Sequence, residues 1–306
     1  MKWRKLGRVF EPKASIPLLH SHASIPIPVQ VDDDYYKILF SYRNKDQKSL
    51  IGWVLVDIKN PLQILDLSQS PLLDLGEPGF FDEDGTMASF LLNQGNRQLL
   101  YYIGWNLSLS VPFRNSLGLA VSVNRELKFK KYSTGPILDR SIYDPCFVAS
   151  NCVLFDHNIF KMWYLSCIKW ERQDDKFKHS YHIKYAESRD GIEWERRGVV
   201  AIDFVYENEY AISRPIVLKE NNIYKMWYSY RGGPRSELYR IGYAESEDGI
   251  KWIRMDDKAG IDVSPSGWDD EMICYPYVFH HKGIRYMLYN GNGYGKTGFG
   301  ICIQEE

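Results

Sequence analysis

The sequence has no long apolar run and almost no net charge, and each absence excludes a class of protein. No stretch approaches the roughly 18 apolar residues of a membrane span. The start, Met1 to Arg8, also lacks the apolar run of a signal peptide. The net charge of −1 argues against nucleic-acid binding, which needs a basic surface. We therefore expect a chain with no membrane span and no nucleic-acid partner.

Cysteine is scarce, and histidine offers little for a metal. The five cysteines are odd in number and lack metal-site spacing, so reduced thiols in a cytoplasmic protein are the simplest interpretation. His20 and His22 stand two residues apart, as two metal ligands could. With no third ligand identifiable, we expect no metal and no cofactor. We predict that His22 is instead a polar group of the ligand site.

Aromatic residues are abundant, with 22 Tyr and 9 Trp, and some of them recur in a repeat. Phe160-Lys-Met-Trp-Tyr164 returns as Tyr224-Lys-Met-Trp-Tyr228. Downstream, Ile183 to Trp194 matches Ile241 to Trp252, including Tyr-Ala-Glu-Ser and Asp-Gly in both copies. Such self-similarity is typical of repeat architectures. The short segments rich in aromatic and β-branched residues predict strands, and the absence of a 3.6-residue apolar period predicts few helices.

The chain reads as five units of four strands each, the last lacking its fourth strand. The segment Lys2 to Phe10 precedes the first unit without a partner and is predicted to complete the last one. This indicates an all-β fold, a five-bladed β-propeller in a single domain of residues 1–306. A β-sandwich with coincidental similarity is the alternative. Asp190-Gly191 and Asp248-Gly249 predict two-residue hairpin turns between the third and fourth strands.

One end of this fold should gather polar side chains. In an antiparallel unit, the first strand starts on the face where the second strand ends. Four units carry an acid just before the first strand, and unit I has His22 in that place. Acids often cap turns before strands, but four in register favour a ligand site. The four are Asp82, Asp144, Glu209 and Asp270.

The second strands add basic and aromatic residues to the same face. Arg43 and Arg231 follow equivalent tyrosines at their ends, and Trp105 and Trp170 follow the second strands of units II and III. The segments Trp105 to Leu117 and Trp170 to His179 are the largest insertions there. We expect these insertions to wall the pocket, because loops on a rigid scaffold tend to carry specificity.

This pattern resembles the five-bladed propeller glycosidases, which include the arabinanases and β-xylosidases, the invertases and levansucrases, and the mannoside phosphorylases. Tyr143-Asp144-Pro145 is similar to the Asp-Pro motif of that group. Glu209, followed by Arg214-Pro215, resembles the blade that carries the acid Glu. Unit I departs from the group, since it has His20-Ser-His22 where the family usually has its first Asp.

The resemblance implies a catalytic set of three carboxylates. Glu209 would be the general acid, Asp144 would orient and tune, and Asp82 would be the base or nucleophile. Asp270 would be a fourth carboxylate. The remaining residues would bind substrate: the side chains proposed to hold hydroxyl, carboxylate or phosphate groups or to stack on sugar rings are His22, Arg43, Trp105, Trp170, Arg214 and Arg231.

The function expected from the resemblance is glycoside hydrolysis, or phosphorolysis, of an oligosaccharide or glycan intermediate. The alternatives are a sugar-binding or scaffold propeller in polysaccharide assembly, and a protein-interaction propeller with a flat apolar face. The position of the carboxylates discriminates glycoside hydrolysis from sugar binding alone. Catalytic carboxylates stand roughly 5–10 Å apart across a pocket, whereas structural acids bond within their own turns and point away from it.

Overall fold

The computed structural model describes residues 1–13, 15–16, 18–234 and 236–305, and nearly every element in this part of the chain is a β-strand. By their pairing, the strands form five antiparallel groups of four, here called units I to V. Single parallel pairs, Ser49 with Gly85 and Tyr181 with Ala211, join unit I to unit II and unit III to unit IV. The described fold is therefore all-β.

The bounds of the strands follow the units. Unit I contains Ser21–Gln30 (β2), Tyr35–Arg43 (β3), Ser49–Asp57 (β4) and Ile64–Leu67 (β5). Unit II contains Gly85–Gln94 (β6), Arg97–Leu107 (β7), Phe113–Val123 (β8) and Lys130–Lys131 (β9). Unit III contains Phe147–Asp156 (β10), Ile159–Gln173 (β11), Lys176–Ser188 (β12) and Glu195–Ile202 (β13). Unit IV contains Ala211–Glu220 (β14), Ile223–Arg231 (β15), Arg240–Ser246 (β16) and Ile253–Arg254 (β17). Unit V contains Cys274–His281 (β18), Ile284–Asn290 (β19), Phe299–Gln304 (β20) and the N-terminal Trp3–Phe10 (β1).

The two ends of the chain share one sheet. β1 runs antiparallel to β20, and the strand order of this sheet is β1-β20-β19-β18. Lys5 stands opposite Cys302 in this pairing. The N-terminal strand thus occupies in unit V the place that β5, β9, β13 and β17 occupy in the other units.

The repeated aromatic strands form the core between units. Trp163 and Tyr164 of β11, like Trp227 and Tyr228 of β15, are fully buried. The indole N–H of Trp163 donates to the carbonyl of Gly249 in the next unit at 2.8 Å. The core is therefore built by side chains that reach from one unit into its neighbour.

The predicted two-residue hairpin turns are wrong. β12 ends at Ser188 and β13 begins at Glu195, so six residues connect them. The Asp190 carboxylate accepts the N–H groups of Ile192 and Glu193 at 2.8 and 2.9 Å, which caps a wider turn. Gly191 has a φ of 78°, a conformation that favours glycine and explains its place after the aspartate.

The first strands of the five units lie next to one another. β2, β6, β10, β14 and β18 contact one another in succession, and β18 also contacts β2. Each of them has a β-bulge against its second strand. In four units, a side chain of the preceding unit accepts a backbone N–H at the bulge: Asn290 accepts Ile25 N, Ser41 accepts Ala88 N, Ser89 accepts Asn151 N and Ser229 accepts Tyr275 N, at 2.8–2.9 Å. These bonds tie consecutive units together.

Among the described residues, no helix is long and apolar enough to cross a membrane. The same residues contain no group of three or more His, Cys, Asp or Glu side chains arranged to hold a metal ion.

Candidate functional site

A cavity of about 300 Å³ opens where first strands begin and second strands end, the face on which the sequence pattern predicts the ligand site. Its volume lies at the lower end of the range typical of small-molecule sites, about 300–1,000 Å³. Units I, II and V line it. The lining residues of this His22 cavity are His22, Ser24, Ser41, Tyr42, Arg43, Ser49, Met87, Trp105, Phe113, Asn115, Tyr275 and Tyr294.

The charge of the His22 cavity is positive. Arg43 lies at the exposed end of β3 and makes no ion pair within the part of the chain that the structure describes. Burial lowers the pKa of His22, and the nearby charges of Arg43 and Lys296 lower it further. No Asp or Glu is among the lining residues. The cavity therefore offers donors and positive charge to a ligand, with no carboxylate of its own.

Aromatic side chains supply the apolar part of the lining. Trp105 lines the cavity from the end of β7, where its indole covers the backbone of Gly85. Trp170 lies one layer behind, with its ring centroid 5.3 Å from that of Phe113, which does line the cavity. The two predicted insertions are mainly continuous strand, since the hairpins β7–β8 and β11–β12 extend through them. Of the two tryptophans predicted to stack on sugar, only Trp105 lines the cavity.

Asp82 lies in a polar trio inside unit II. Its side chain is buried, and its Oδ2 accepts the hydroxyl of Tyr102 at 2.9 Å and pairs with Lys131 Nζ at 2.7 Å. Burial and the adjacent carboxylate raise the pKa of Tyr102, so that its hydroxyl stays protonated as the donor. Asp82 is a member of a closed network and does not line the His22 cavity.

Asp144 lies in the corresponding network of unit III. It is fully buried and accepts the hydroxyl groups of Tyr164 at 3.2 Å and Ser166 at 2.7 Å. Arg196 of β13 pairs with its other oxygen at 2.9 Å. Lys184 adds a second positive charge at 3.6 Å. These partners of the carboxylate all belong to unit III itself.

In unit IV two acids share the contacts that a single aspartate makes in units II and III: Glu209 pairs with the basic residue, and Asp256 accepts the tyrosine hydroxyl. Arg254 of β17 pairs with both oxygens of Glu209 at 2.8 Å each and with Asp256 at 2.7 Å. The hydroxyl of Tyr228 donates to Asp256 at 2.5 Å. The bidentate geometry is the strong form of an arginine–carboxylate pair. Glu209 is thus neutralised inside its own unit.

In unit V the buried acid is Asp269, one residue before the predicted Asp270. Asp269 accepts the Tyr289 hydroxyl at 3.0 Å and Lys5 Nζ at 2.6 Å. Asp270 instead accepts the side-chain amide of Asn292 at 2.7 Å and the N–H of Gly267 at 3.0 Å. The amide of Asn292 is the main cause of the lowered pKa of Asp270. Asp270 therefore caps a turn and does not line the His22 cavity.

Unit I replaces the polar trio by apolar residues. Phe40 stands in the strand position that Tyr102, Tyr164, Tyr228 and Tyr289 hold in the other units. Leu67, opposite Val54, takes the place of the basic residue, as Lys131 stands opposite Ala120 in unit II. Leu19, Phe40 and Leu67 pack in one hydrophobic cluster. The acid, the tyrosine and the base are thus present together or absent together.

The two remaining arginines also lie away from the cavity lining. Arg214 is fully buried at the bulge of β14, with a φ of 54°, and donates to the carbonyl of Ser89 in unit II. Burial lowers its pKa to about 10. Arg231 donates to the hydroxyl of Tyr294 at 2.7 Å. Through Tyr294, which lines the cavity, Arg231 supports one wall.

The signal that sequence reasoning missed is the co-occurrence within the trios. Four units have both an acid before the first strand and a tyrosine at one equivalent position of the second, and unit I has no such acid and has Phe40 at that position. Such coupling indicates an intra-unit hydrogen bond before any coordinates are known. No comparable sequence pattern identifies the cavity residues Ser24, Asn115 and Tyr275.

The fold is that of the β-propeller glycosidases. The structure of BT0996 in complex with RGII matches with a TM-score of 0.76 at 17% identity, covering 99% of this protein and 91% of BT0996. A thermostable family-43 glycoside hydrolase matches at 0.67 and 16%, covering 94% and 90%. A structure from the GH130 family of mannoside phosphorylases, a family said to contain hydrolases that target β-1,2 mannosidic linkages in Candida mannan, matches at 0.71 and 14%, covering 99% and 93%.

No protein-family model matches the chain. The chain belongs to the family of two Mycobacterium tuberculosis proteins, "Uncharacterized protein Rv1502" of strain H37Rv and "Uncharacterized protein MT1551" of strain CDC 1551 / Oshkosh. It is 41% identical to each over 306 residues, which is the full length of both partners in each comparison.

Proposed function

We propose that this chain is a carbohydrate-binding protein of the propeller-glycosidase fold whose ligand sits in the His22 cavity and carries an anionic group. The observation that carries this proposal is the composition of the lining: Arg43 and His22 beside Trp105, with no carboxylate. Guanidinium groups pair with carboxylate and phosphate. Aromatic side chains provide flat apolar faces on which a sugar ring can lie.

The architecture that we propose for this function is a five-bladed propeller whose last blade is completed by the N-terminal strand. Five four-stranded units and the pairing of β1 with β20 support it. The contact between β18 and β2 supports a ring of first strands around the site. In such a ring, the beginnings of the first strands converge on one funnel, which is where the His22 cavity opens.

A second candidate function is glycoside hydrolysis or phosphorolysis, which the likeness to glycoside hydrolases favours. In this candidate, Glu209 is the general acid, Asp144 orients and tunes, and Asp82 is the base or nucleophile. The reaction needs carboxylates that face the substrate roughly 5–10 Å apart. The ion pairs of Asp82, Asp144 and Glu209 would have to open first, and this requirement favours binding without turnover as the leading proposal.

Binding to a panel of neutral, phosphorylated and uronic-acid oligosaccharides tests the leading proposal. Arg43→Gln should weaken binding of the anionic members about tenfold, the loss expected for one charged hydrogen bond. Arg97→Gln is the matched control, because Arg97 is an exposed arginine at the opposite end of a second strand. Equal affinity of both variants for every bound glycan would contradict the proposal.

An aryl-glycoside and oligosaccharide panel, with and without phosphate, tests the second candidate. If Asp144 and Glu209 are catalytic, Asp144→Asn and Glu209→Gln should abolish turnover while a substantial fraction stays folded. If they belong to the scaffold, the same substitutions should lower the unfolding midpoint and change turnover only in proportion to the folded fraction. A cytoplasmic location and a role in polysaccharide assembly stay predictions from the sequence.

A further inference from the structure

A second concave surface lies beside the His22 cavity and has the same charge character. The Lys178 groove, about 300 Å³ in volume, is formed by the β11–β12 hairpin of unit III against unit IV. Three of its seven lining residues are basic and none is acidic. The lining residues are Gln173, Lys176, Phe177, Lys178, His179, Tyr210 and Arg231.

Two basic groups of the groove, Lys178 and Arg231, lie over an aromatic ring and make no ion pair among the described residues; Glu171, opposite Lys178 in the strand pairing, pairs with Lys169 at 2.6 Å. Lys178 Nζ lies 3.8 Å from the ring centroid of Tyr210, and the guanidinium carbon of Arg231 lies 5.0 Å from the same centroid. Arg231 donates a hydrogen bond to a neutral acceptor, Tyr294, and its Nε is buried with no partner among the described residues. An aromatic ring holds a cation in position while leaving its charge uncompensated.

The neighbouring groups favour an anionic occupant. Burial and the charge of Arg231 lower the pKa of His179 to about 4, so this ring is neutral near pH 7 and its unpartnered Nδ1 adds no positive charge. The acids of the hairpin turn, Asp174 and Asp175, are not among the lining residues. The charge of the groove therefore comes from Lys176, Lys178 and Arg231.

The groove and the cavity share one wall. Tyr294 lines the His22 cavity, Arg231 lines the groove, and the 2.7 Å hydrogen bond between them joins the two. A ligand that passes over this pair touches both sites. One part would contact Arg43 and Trp105, and the other would contact Lys176 and Lys178.

We propose that the Lys178 groove is a second subsite, which binds an oxyanion group, phosphate or carboxylate, of a carbohydrate whose ring lies in the His22 cavity. This inference rests on the proposed function and narrows it to acidic carbohydrates that extend beyond a single ring. The oxyanion is held by charge-assisted hydrogen bonds from the two lysines and by the field of Arg231. The bound ligand then covers the Arg231–Tyr294 pair.

Inorganic phosphate, acetate, glucose 1-phosphate and a glucuronic-acid disaccharide serve as probes, titrated into the full-length protein by calorimetry at constant ionic strength. Lys176→Gln/Lys178→Gln should weaken phosphate binding about tenfold or more. The control is Lys37→Gln, because Lys37 Nζ lies over the Trp53 ring at 3.9 Å in the same kind of contact, outside the lining of both sites. Its affinities should equal those of the wild type. Preference for the phosphate or the carboxylate probes identifies the source of the oxyanion.

The failures of the two proposals are distinguishable. If Arg43→Gln weakens binding of the acidic sugars while the lysine double variant leaves every affinity unchanged, the groove proposal is overturned and the proposed function stands. If phosphate binds and is weakened by the double variant, but no carbohydrate binds more tightly than phosphate or acetate alone, the groove is an anion site and the proposed function fails. Loss of binding in the Lys37→Gln control as well would overturn the groove, since it would indicate a non-specific charge effect.

Discussion

The hydroxyl of Tyr102 donates a 2.9 Å hydrogen bond to the buried carboxylate of Asp82. The same carboxylate oxygen pairs with Lys131. This relationship recurs in unit III and unit V with Asp144 and Asp269. It gives Asp82, Asp144 and Asp269 a role in holding their own units together, and it separates them from the His22 cavity.

Asp82→Asn should lower the free energy of unfolding by about 3 kcal/mol, because it leaves Lys131 next to a buried site without its counter-charge. The triple variant Asp82→Leu/Tyr102→Phe/Lys131→Leu imitates the apolar residues of unit I and should recover most of that loss. Urea unfolding of the three proteins measures both effects. A triple variant less stable than the single one would contradict the scaffold role of the trio.

Lys5→Met should destabilise the protein by a similar amount, about 3 kcal/mol, since Asp269 is buried and Lys5 is its ion-pair partner at 2.6 Å. Lys2→Met is the matched control, because Lys2 pairs with Glu305 at the solvent-exposed end of the β1–β20 pair, just outside both strands. The control should change the free energy of unfolding by less than about 1 kcal/mol. Equal effects of the two substitutions would refute the idea that β1 completes unit V through Lys5.

His179 should make stability depend on pH. Its pKa falls from 6.5 to about 4 on folding, chiefly because of burial. The unfolded chain therefore binds the proton first, and stability decreases as the pH falls from about 6.5 to about 4. Between about pH 7 and about pH 5 the loss should be about 2 kcal/mol.

Urea unfolding at the two pH values measures this loss, with His179→Phe as the comparison. Phenylalanine keeps the packing against Trp170 and Tyr181 but cannot bind the proton. The pH dependence of this variant should be smaller by the same amount. An unchanged pH dependence would show that His179 does not titrate in this way.

Arg214→Met should leave carbohydrate affinity unchanged, because Arg214 is fully buried and does not line the cavity. Its Nε and one terminal nitrogen have no hydrogen-bond partner among the described residues. Replacing an incompletely paired buried charge by an apolar side chain of similar length is often neutral or stabilising. Calorimetry and urea unfolding test the two halves of this prediction. A loss of carbohydrate affinity would contradict this prediction and would indicate that Arg214 contributes to ligand binding.

Much of the fold could be predicted from sequence because strands and units are marked by local signals. The aromatic strands β11 and β15 repeat almost letter for letter, and the N-terminal segment had no other partner. The fourth strands β9 and β17 are only two residues long, so Lys131 and Arg254 gave no periodic signal. The basic residues that pair with the acids therefore cannot be identified from the sequence, and the sequence alone gives the acids no ion-pair partner.

Part of the candidate site could also be predicted from the sequence, because the direction of the strands is marked by local signals. The face was deduced from strand direction, and His22, Arg43 and Trp105, which end or begin strands there, do line the cavity. Asp269 and Asp270 are adjacent in sequence, and only the local turn determines which of them points inward. The direction of a side chain at a turn depends on the hydrogen bonds and packing of that turn, which the spacing of the acids alone does not give.

The most direct test compares the affinity of one acidic oligosaccharide for Arg43→Gln and for the Asp82→Leu/Tyr102→Phe/Lys131→Leu variant, both measured by calorimetry on folded protein. We expect Arg43→Gln to weaken binding about tenfold and the triple variant to bind like the wild type. Normal binding by Arg43→Gln together with lost binding by the folded triple variant would show that the acids, and not the His22 cavity, hold the ligand.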